Sequence, residues 1–221
     1  MKMSPFHAWC CAASIALLAL STPAHAGPPL LCEPFDTGGA PSLPWGDGWN
    51  RPSAQYGLDR LVEDTQRLLA PDTPIIARME TLRRAAIYAS RDGALLRDLA
   101  ARLEARIPAA ASRHARALAL FDAGYFRETL QEVLRLQGYD MPGIGRVDAR
   151  ALRTQLADGD GSALIAQALA LRPQDAALQF AAAQVARADA RGADAERHAR
   201  LALDGADGDP LLARNVARLA D

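Results

Sequence analysis

The sequence predicts an all-α protein of stacked antiparallel helical hairpins, forming a solenoid or an irregular bundle, with an extended segment ahead of the helices. Half of the 221 residues are hydrophobic, and 48 are alanine. Aromatic residues make up only 5%, which disfavours a β-sandwich or barrel because strands favour aromatic and β-branched side chains. From residue 56 onward, apolar residues recur at intervals of three and four, the spacing of amphipathic helices.

The charge balance excludes two classes of protein. The chain has 25 basic and 26 acidic residues, for a net charge of −1. A disordered chain would be poorer in apolar residues and further from neutrality. A nucleic-acid-binding domain would show a basic excess that this chain lacks, so we expect no nucleic-acid partner.

Residues 1–26 have the pattern of a secretory signal peptide. Lys2 precedes an uncharged stretch, residues 8–20, and residues 24–26 read Ala-His-Ala. This order predicts cleavage after Ala26 and a periplasmic or secreted protein. The alternative is a retained N-terminal anchor, but the stretch is shorter than a membrane span, so we expect no stable insertion after cleavage.

Cleavage would leave residues 27–221 without lysine and with Cys32 as the lone thiol. A single thiol cannot form an internal disulfide, so packing alone must hold the mature chain together. Neither Leu31, ahead of Cys32, nor Trp9, ahead of Cys10, is the small residue that lipid attachment requires. We therefore expect no lipidation.

Residues 27–55 are predicted to form an ordered strap that packs on the helices. The segment is rich in proline and glycine, which disfavour helix. It also contains Phe35, Trp45 and Trp49, and flexible linkers rarely contain such large aromatics. Cys32 is either a buried anchor beside Phe35 or a reactive or partner-linking thiol. Glu33 and Asp36 are an acidic pair in the same stretch.

Residues 56–221 are predicted to form the helical domain. Proline, glycine and capping residues divide it into segments. The predicted helices cover about 58–69, 75–89, 94–107, 110–122, 126–136, 147–157, 162–171, 175–190, 193–203 and a last one from 210. Thr73, Ser162 and Asp209 are the predicted N-caps. Three hairpins result, at 74–107, 110–136 and 175–203, the second turning at Ala123-Gly124.

Parts of this domain resemble tetratricopeptide repeats. Residues 168–173 (ALALRP) are similar to the end of such a repeat, and Ala202-Leu203 follows 34 positions after Ala168-Leu169. Residues 124–130 (GYFRETL) are similar to the turn signature of the family. The resemblance implies a concave face, lined by the first helix of each hairpin, that binds a peptide or protein. No ligand residue carries over, because no repeat motif is complete.

No residue pattern points to catalysis. His114 and His198 both lie among arginines, and no Ser-His-Asp, HExxH or CxxC arrangement occurs. We therefore predict a non-enzyme with no cofactor and no metal.

The predicted function is non-catalytic binding or scaffolding of a protein or peptide in the cell envelope. Arg78 and Arg84, off the apolar stripe of their helix, and the strap residues Trp45 and Trp49 are the candidate contacts. The alternative is a peptidoglycan-associated protein, or an envelope enzyme using the strap acids. It is suggested by residues 137–152, which resemble a small helical peptidoglycan-binding module.

Removal of the leader can be tested on protein recovered from the envelope of a bacterial host. We expect an intact mass that corresponds to a chain beginning at Gly27. Ala26→Leu should block processing, because the peptidase accepts only small residues there, whereas Ala13→Leu in the apolar stretch should leave it unchanged. An unprocessed wild-type chain would contradict the assignment.

Overall fold

The structure is a computed structural model that describes residues 29–138 and 143–219; the signal peptide predicted at 1–26 lies outside these ranges. Within them the chain forms nine α-helices and no strand, which confirms the all-α prediction. The helices are α1 Leu61–Leu68, α2 Ile75–Ala89, α3 Gly93–Ala109, α4 Arg113–Arg135, α5 Ala149–Leu156, α6 Ser162–Leu171, α7 Ala176–Ala188, α8 Gly192–Asp204 and α9 Pro210–Asn215. A short 3-10 turn, Val216–Leu219, follows α9.

Side-chain caps fix where several helices begin. Asp209 accepts hydrogen bonds from the first N–H groups of α9, as predicted. Such caps satisfy amide groups that have no partner inside the helix. The predictions for Thr73 and Ser162 are wrong. The Thr73 hydroxyl donates to the Leu68 carbonyl instead, and Ser162 is the first residue of α6, where it donates to the carboxylate of Asp160.

The hairpin predicted at 110–136 does not exist, because α4 is one continuous helix from Arg113 to Arg135. Gly124 lies inside α4, at the point where α6 packs against it, and not in a turn. A β-carbon placed there would come within 2.8 Å of the Gly161 carbonyl oxygen and 2.9 Å of Ile165. The glycine therefore lets α6 approach α4 closely, and the turn signature read at 124–130 is helical backbone.

Helix α4 is the centre of the domain. It packs against α2, α3, α5, α6 and α7, while α7 and α8 pack along each other as the predicted hairpin. Helix α2 also contacts α7, so these two and α4 surround a common interior. Among the described residues, no helix combines the length and the apolar character that a membrane crossing needs.

Every residue of α2 except Arg84 is buried. Arg78 has no exposed surface and donates two hydrogen bonds, of 2.7 and 3.0 Å, to the Asp122 carboxylate of α4. Arg106 of α3 donates to the same carboxylate at 2.9 Å. Arg78 also binds the carbonyls of Ala70 and Thr73. We call Arg78, Arg106 and Asp122 the Asp122 cluster; it joins α2, α3 and α4 to the α1–α2 connection.

Removal of the carboxylate from the Asp122 cluster should strongly destabilise the fold. Asp122→Ala leaves Arg78 buried without its counter-ion, and we expect a loss of about 3–5 kcal/mol in the free energy of unfolding, measured by urea denaturation. Arg102→Ala is the matched control, because Arg102 forms only an exposed pair with Asp98. It should cost less than about 0.5 kcal/mol. Equal effects of the two changes would contradict the role given to the cluster.

Candidate functional site

The strap lies along a surface made by helices that are distant from it in the sequence. We call this the strap-binding surface and define it by the side chains that bond to strap main-chain atoms. They are Glu80, Arg83, Arg84, Tyr88, Glu132, Asn215 and Arg218. Their partners lie up to 185 positions away, so tertiary folding alone assembles the site.

In the first strap segment, residues 30–36, the main chain of nearly every residue is hydrogen-bonded to a side chain of the helical domain. Glu132 accepts the Leu30 N–H at 3.1 Å, and Glu80 accepts the Phe35 N–H at 3.0 Å. The remaining bonds are those of Arg83 to the Leu31 carbonyl (3.1 Å), Arg218 to the Glu33 (3.1 Å) and Pro34 carbonyls, and Asn215 to both the N–H (3.0 Å) and the carbonyl (2.9 Å) of Asp36. Backbone groups that would otherwise be buried without partners are satisfied in this way.

Side chains of the first segment fill the interior of the domain. Leu30 and Leu31 are fully buried. Phe35 packs edge-on against Phe180 of α7 with 6.1 Å between ring centroids, and the Arg218 guanidinium lies 4.3 Å from the Phe35 centroid. The segment therefore adds to the hydrophobic core and to a cation–π contact.

A tight turn at residues 37–40 separates this segment from the second strap segment, residues 43–53. Gly38 and Gly39 both have positive φ, of 59° and 89°, a conformation that glycine adopts without strain. In the second segment, Arg84 donates to the Leu43 carbonyl at 2.5 Å, and the Tyr88 hydroxyl donates to the Pro44 carbonyl at 2.6 Å. The helix side chains that bond to this segment all belong to α2, and Asn50 lies against Gly143 in the loop that follows α4.

Trp45 is fixed by α2. The guanidinium groups of Arg83 and Arg84 lie 5.1 and 5.6 Å from its ring centroid, and Tyr88 meets it edge-on at 5.5 Å. Arg83 also donates to the Trp49 carbonyl at 2.8 Å. Both tryptophans are partly buried against the hydrophobic core, as the sequence predicts for the strap.

Glu80 is the ionic centre of the strap-binding surface. It has no exposed surface and bonds to Arg83 at 2.8 Å and to Arg84 at 2.6 Å. Burial raises the pKa of the Glu80 carboxyl, but the two guanidinium groups and the Phe35 N–H outweigh it and hold the pKa below its usual range. Glu80 is therefore ionised and accepts strongly from the strap.

A second acidic group lies under the start of the strap. Burial raises the pKa of Glu132 to about 8, with partial compensation from the Leu30 and Leu31 amides and from Arg135. One turn earlier on α4, burial and the charges of Asp189 and Asp160 raise the pKa of Glu128 to about 7. Among the described residues, Glu132 Oε1 and the Tyr125 hydroxyl have no hydrogen-bond partner. The hydrogen bond from Leu30 to Glu132 is thus the strap contact at which the cost of burying polar groups is least well compensated.

The thiol of Cys32 is half-buried near Glu132, Arg83 and Glu33. Burial raises its pKa to about 11, and the carboxylate of Glu132 acts in the same direction. A thiol with this pKa is protonated at neutral pH and reacts slowly, since the thiolate is the nucleophile. The environment favours the interpretation of Cys32 as a packing residue.

The structure corrects the assignment of Arg78 as a partner-binding residue, because this side chain is wholly buried with Asp122. Arg84, Trp45 and Trp49 make their contacts within the chain, although each retains some exposed surface. Their side chains bind the strap or belong to it, so contact with an outside partner would first require the strap to move.

The remaining candidate residues from the sequence lie in separate parts of the structure. Glu33 lies 3.9 Å from Arg218 and Asp36 lies 3.3 Å from Arg214, so each strap acid is paired with an arginine. His198 bonds to Gln179 on α7. No group of three metal-ligating residues occurs within 29–138 and 143–219.

The segment proposed to bind peptidoglycan, 137–152, is described only in part, since residues 139–142 lie outside the described ranges. Asp148, in its described part, caps α5.

Sequence reasoning missed five members of the strap-binding surface, namely Glu80, Tyr88, Glu132, Asn215 and Arg218. One signal was present, because Glu80 precedes Arg83 and Arg84 by three and four positions, the spacing of helical ion pairs. That spacing is equally typical of exposed helix surfaces, so it does not reveal burial. For Asn215 and Arg218 no local signal exists.

Comparison with known protein families, curated proteins and solved structures finds no match to this chain.

The raised pKa of Glu132 predicts a pH-dependent stability. Because the folded state favours the protonated carboxyl, the contribution of Glu132 to stability is complete below its ordinary value of 4.5 and is lost as the pH rises through about 8. Glu132→Gln keeps an acceptor for Leu30 without a charge. We expect it to stabilise the protein by about 1–3 kcal/mol at pH 9 and to have little effect at pH 4, measured by urea denaturation.

Glu63→Gln is the control for this experiment, since Glu63 is exposed on α1. A Glu132→Gln effect that is the same at both pH values would contradict a buried, protonated Glu132.

Proposed function

We propose that this protein is a non-catalytic binding protein of the cell envelope that holds an extended polypeptide segment on its strap-binding surface. In this structure the strap of the chain itself occupies the surface. A partner would bind in the place that part of the strap vacates.

The observation that supports the proposal is the way the strap is held. Seven side chains of the helical domain bond to its main-chain N–H and carbonyl groups. Every extended peptide presents these groups at similar spacing, so such bonds supply affinity for many sequences, while side-chain pockets supply specificity. A strap buried only for stability also needs partners for its main-chain groups, so exchange of the strap with a free peptide is the property that distinguishes a binding surface.

Several properties of the site suit a binding role better than catalysis. The buried carboxylate of the surface, Glu80, is held by the guanidinium groups of Arg83 and Arg84. The thiol is protonated, and each strap acid faces an arginine. The leader predicted at 1–26 supports a location in the envelope.

The experiment must separate the strap from the chain, because a tethered segment has an effective concentration that a free peptide cannot match. Ala54 and Gln55 form an exposed turn between the strap and the helices, so a protease site inserted there allows the full chain to be cut. A fluorescent synthetic peptide of residues 29–52 is then added, and its binding is measured by anisotropy. We expect saturable exchange with one peptide bound per chain.

Arg218→Ala removes two bonds to the strap main chain and should weaken peptide binding by about tenfold or more, since a charged hydrogen bond contributes about 1.5–3 kcal/mol. Arg102→Ala, on the exposed side of α3, is the matched control and should bind as the wild type does. Failure of the peptide to exchange, or equal affinity for both variants, would refute the proposal.

A further inference from the structure

We infer that the segment which binds in trans replaces residues 30–36 alone, and that it carries two adjacent aliphatic side chains followed, four positions after the second, by an aromatic residue and then an acidic one. This inference rests on the proposed function and names the kind of partner for the same surface. The partner is an extended, acidic and aromatic stretch of another polypeptide.

The division of the strap points to the first segment as the exchangeable part. Residues 37–40 form a turn closed by the Ala40 N–H to the Thr37 carbonyl, with Gly38 and Gly39 exposed. Rotation at these two glycines moves residues 30–36 without disturbing residues 43–53. The second segment joins the helical domain directly, and the Tyr88 hydroxyl bonds to both Pro44 and Ser53 at its two ends.

The two segments also differ in what they contact. Residues 43–53 bond to side chains of α2 and lie against Gly143 at Asn50. Residues 30–36 span α2, α4, α7 and the C-terminal residues Asn215 and Arg218. Release of the first segment opens one continuous surface across these helices. The first segment begins with the contact between Leu30 and Glu132, where burial is least well compensated by hydrogen bonds, so release of the segment can begin there.

The pattern of the partner follows from the sockets that the first segment fills. Leu30 and Leu31 occupy fully buried positions, and Phe35 is held between Phe180 and the Arg218 guanidinium. Asp36 lies 3.3 Å from Arg214 at the rim. The two aliphatic sockets and the aromatic socket require apolar side chains at these spacings, and Arg214 favours a carboxylate beside the aromatic residue.

The test uses the full chain with a protease site inserted at Gly38–Gly39, so that cutting frees the first segment and leaves the second in place. The probe is a fluorescent synthetic peptide of residues 29–37, added under reducing conditions and followed by anisotropy. We expect it to bind, and we expect Phe35→Ala or Leu31→Ala in the peptide to weaken binding at least about tenfold, because each removes a buried apolar side chain. Thr37→Ala is the matched control peptide and should bind unchanged.

The charge position has its own test. Asp36→Arg in the peptide should weaken binding by about threefold or more, since the partner charge is at the surface, and Arg214→Asp in the protein should restore the affinity of that peptide. Absence of rescue would show that Arg214 does not favour a carboxylate at this position and would overturn that part of the inference.

The outcomes separate the two ideas. If the peptide of residues 29–52 exchanges but that of residues 29–37 does not, or if all the short peptides bind equally, this inference fails and the proposed function stands. If neither peptide exchanges, both fail. Loss of helical circular dichroism on cutting at Gly38–Gly39 would show that residues 30–36 are an integral part of the core, and would overturn the inference.

Discussion

Helix α2 carries charged side chains with no access to water, and the arrangement of the rest of the protein follows from the need to partner them. A buried ion without a counter-ion or hydrogen bonds is costly by several kcal/mol. Arg78 at one end of α2 meets this need through Asp122 of α4, and so connects α2 to the centre of the domain. Glu80 and Arg83 bond to each other and to main-chain groups of the strap, so each of these buried charges also has its partners. The same requirement therefore holds the helices together and places the strap.

This arrangement makes the strap both part of the core and a bound peptide. Its leucines and Phe35 are buried as core residues are, whereas its backbone is bonded as a ligand backbone is. The two contributions differ in specificity, because main-chain bonds tolerate many sequences and apolar sockets do not. The turn at Gly38 and Gly39 divides the strap into a segment that spans four parts of the fold and a segment whose bonds to helix side chains all go to α2. A binding role and an architectural role can thus be carried by different segments.

Much of the secondary structure was predictable, because capping residues and three- and four-residue spacing act locally. Asp209 caps its helix for this reason, and the hairpin of α7 and α8 lies where the sequence predicts it. The role of Gly124 could not be predicted in this way. A sequence does not distinguish a glycine that ends a helix from one that lets a neighbouring helix approach. Arg78 was misassigned for a related reason, as a cation beside an apolar stripe is usually solvated, and only the cover provided by other elements makes it internal.

By itself the sequence determined the all-α class, most helix limits and the existence of an ordered aromatic strap, because composition, caps and periodicity are properties of neighbouring residues. Only the tertiary structure decided where the strap lies and which side chains hold it. Glu132, Asn215 and Arg218 reach strap atoms that are 102 to 185 positions away, and no local pattern encodes such a pairing. The site exists because distant helices bring their polar groups to one surface, where burial makes each bond to the strap backbone necessary.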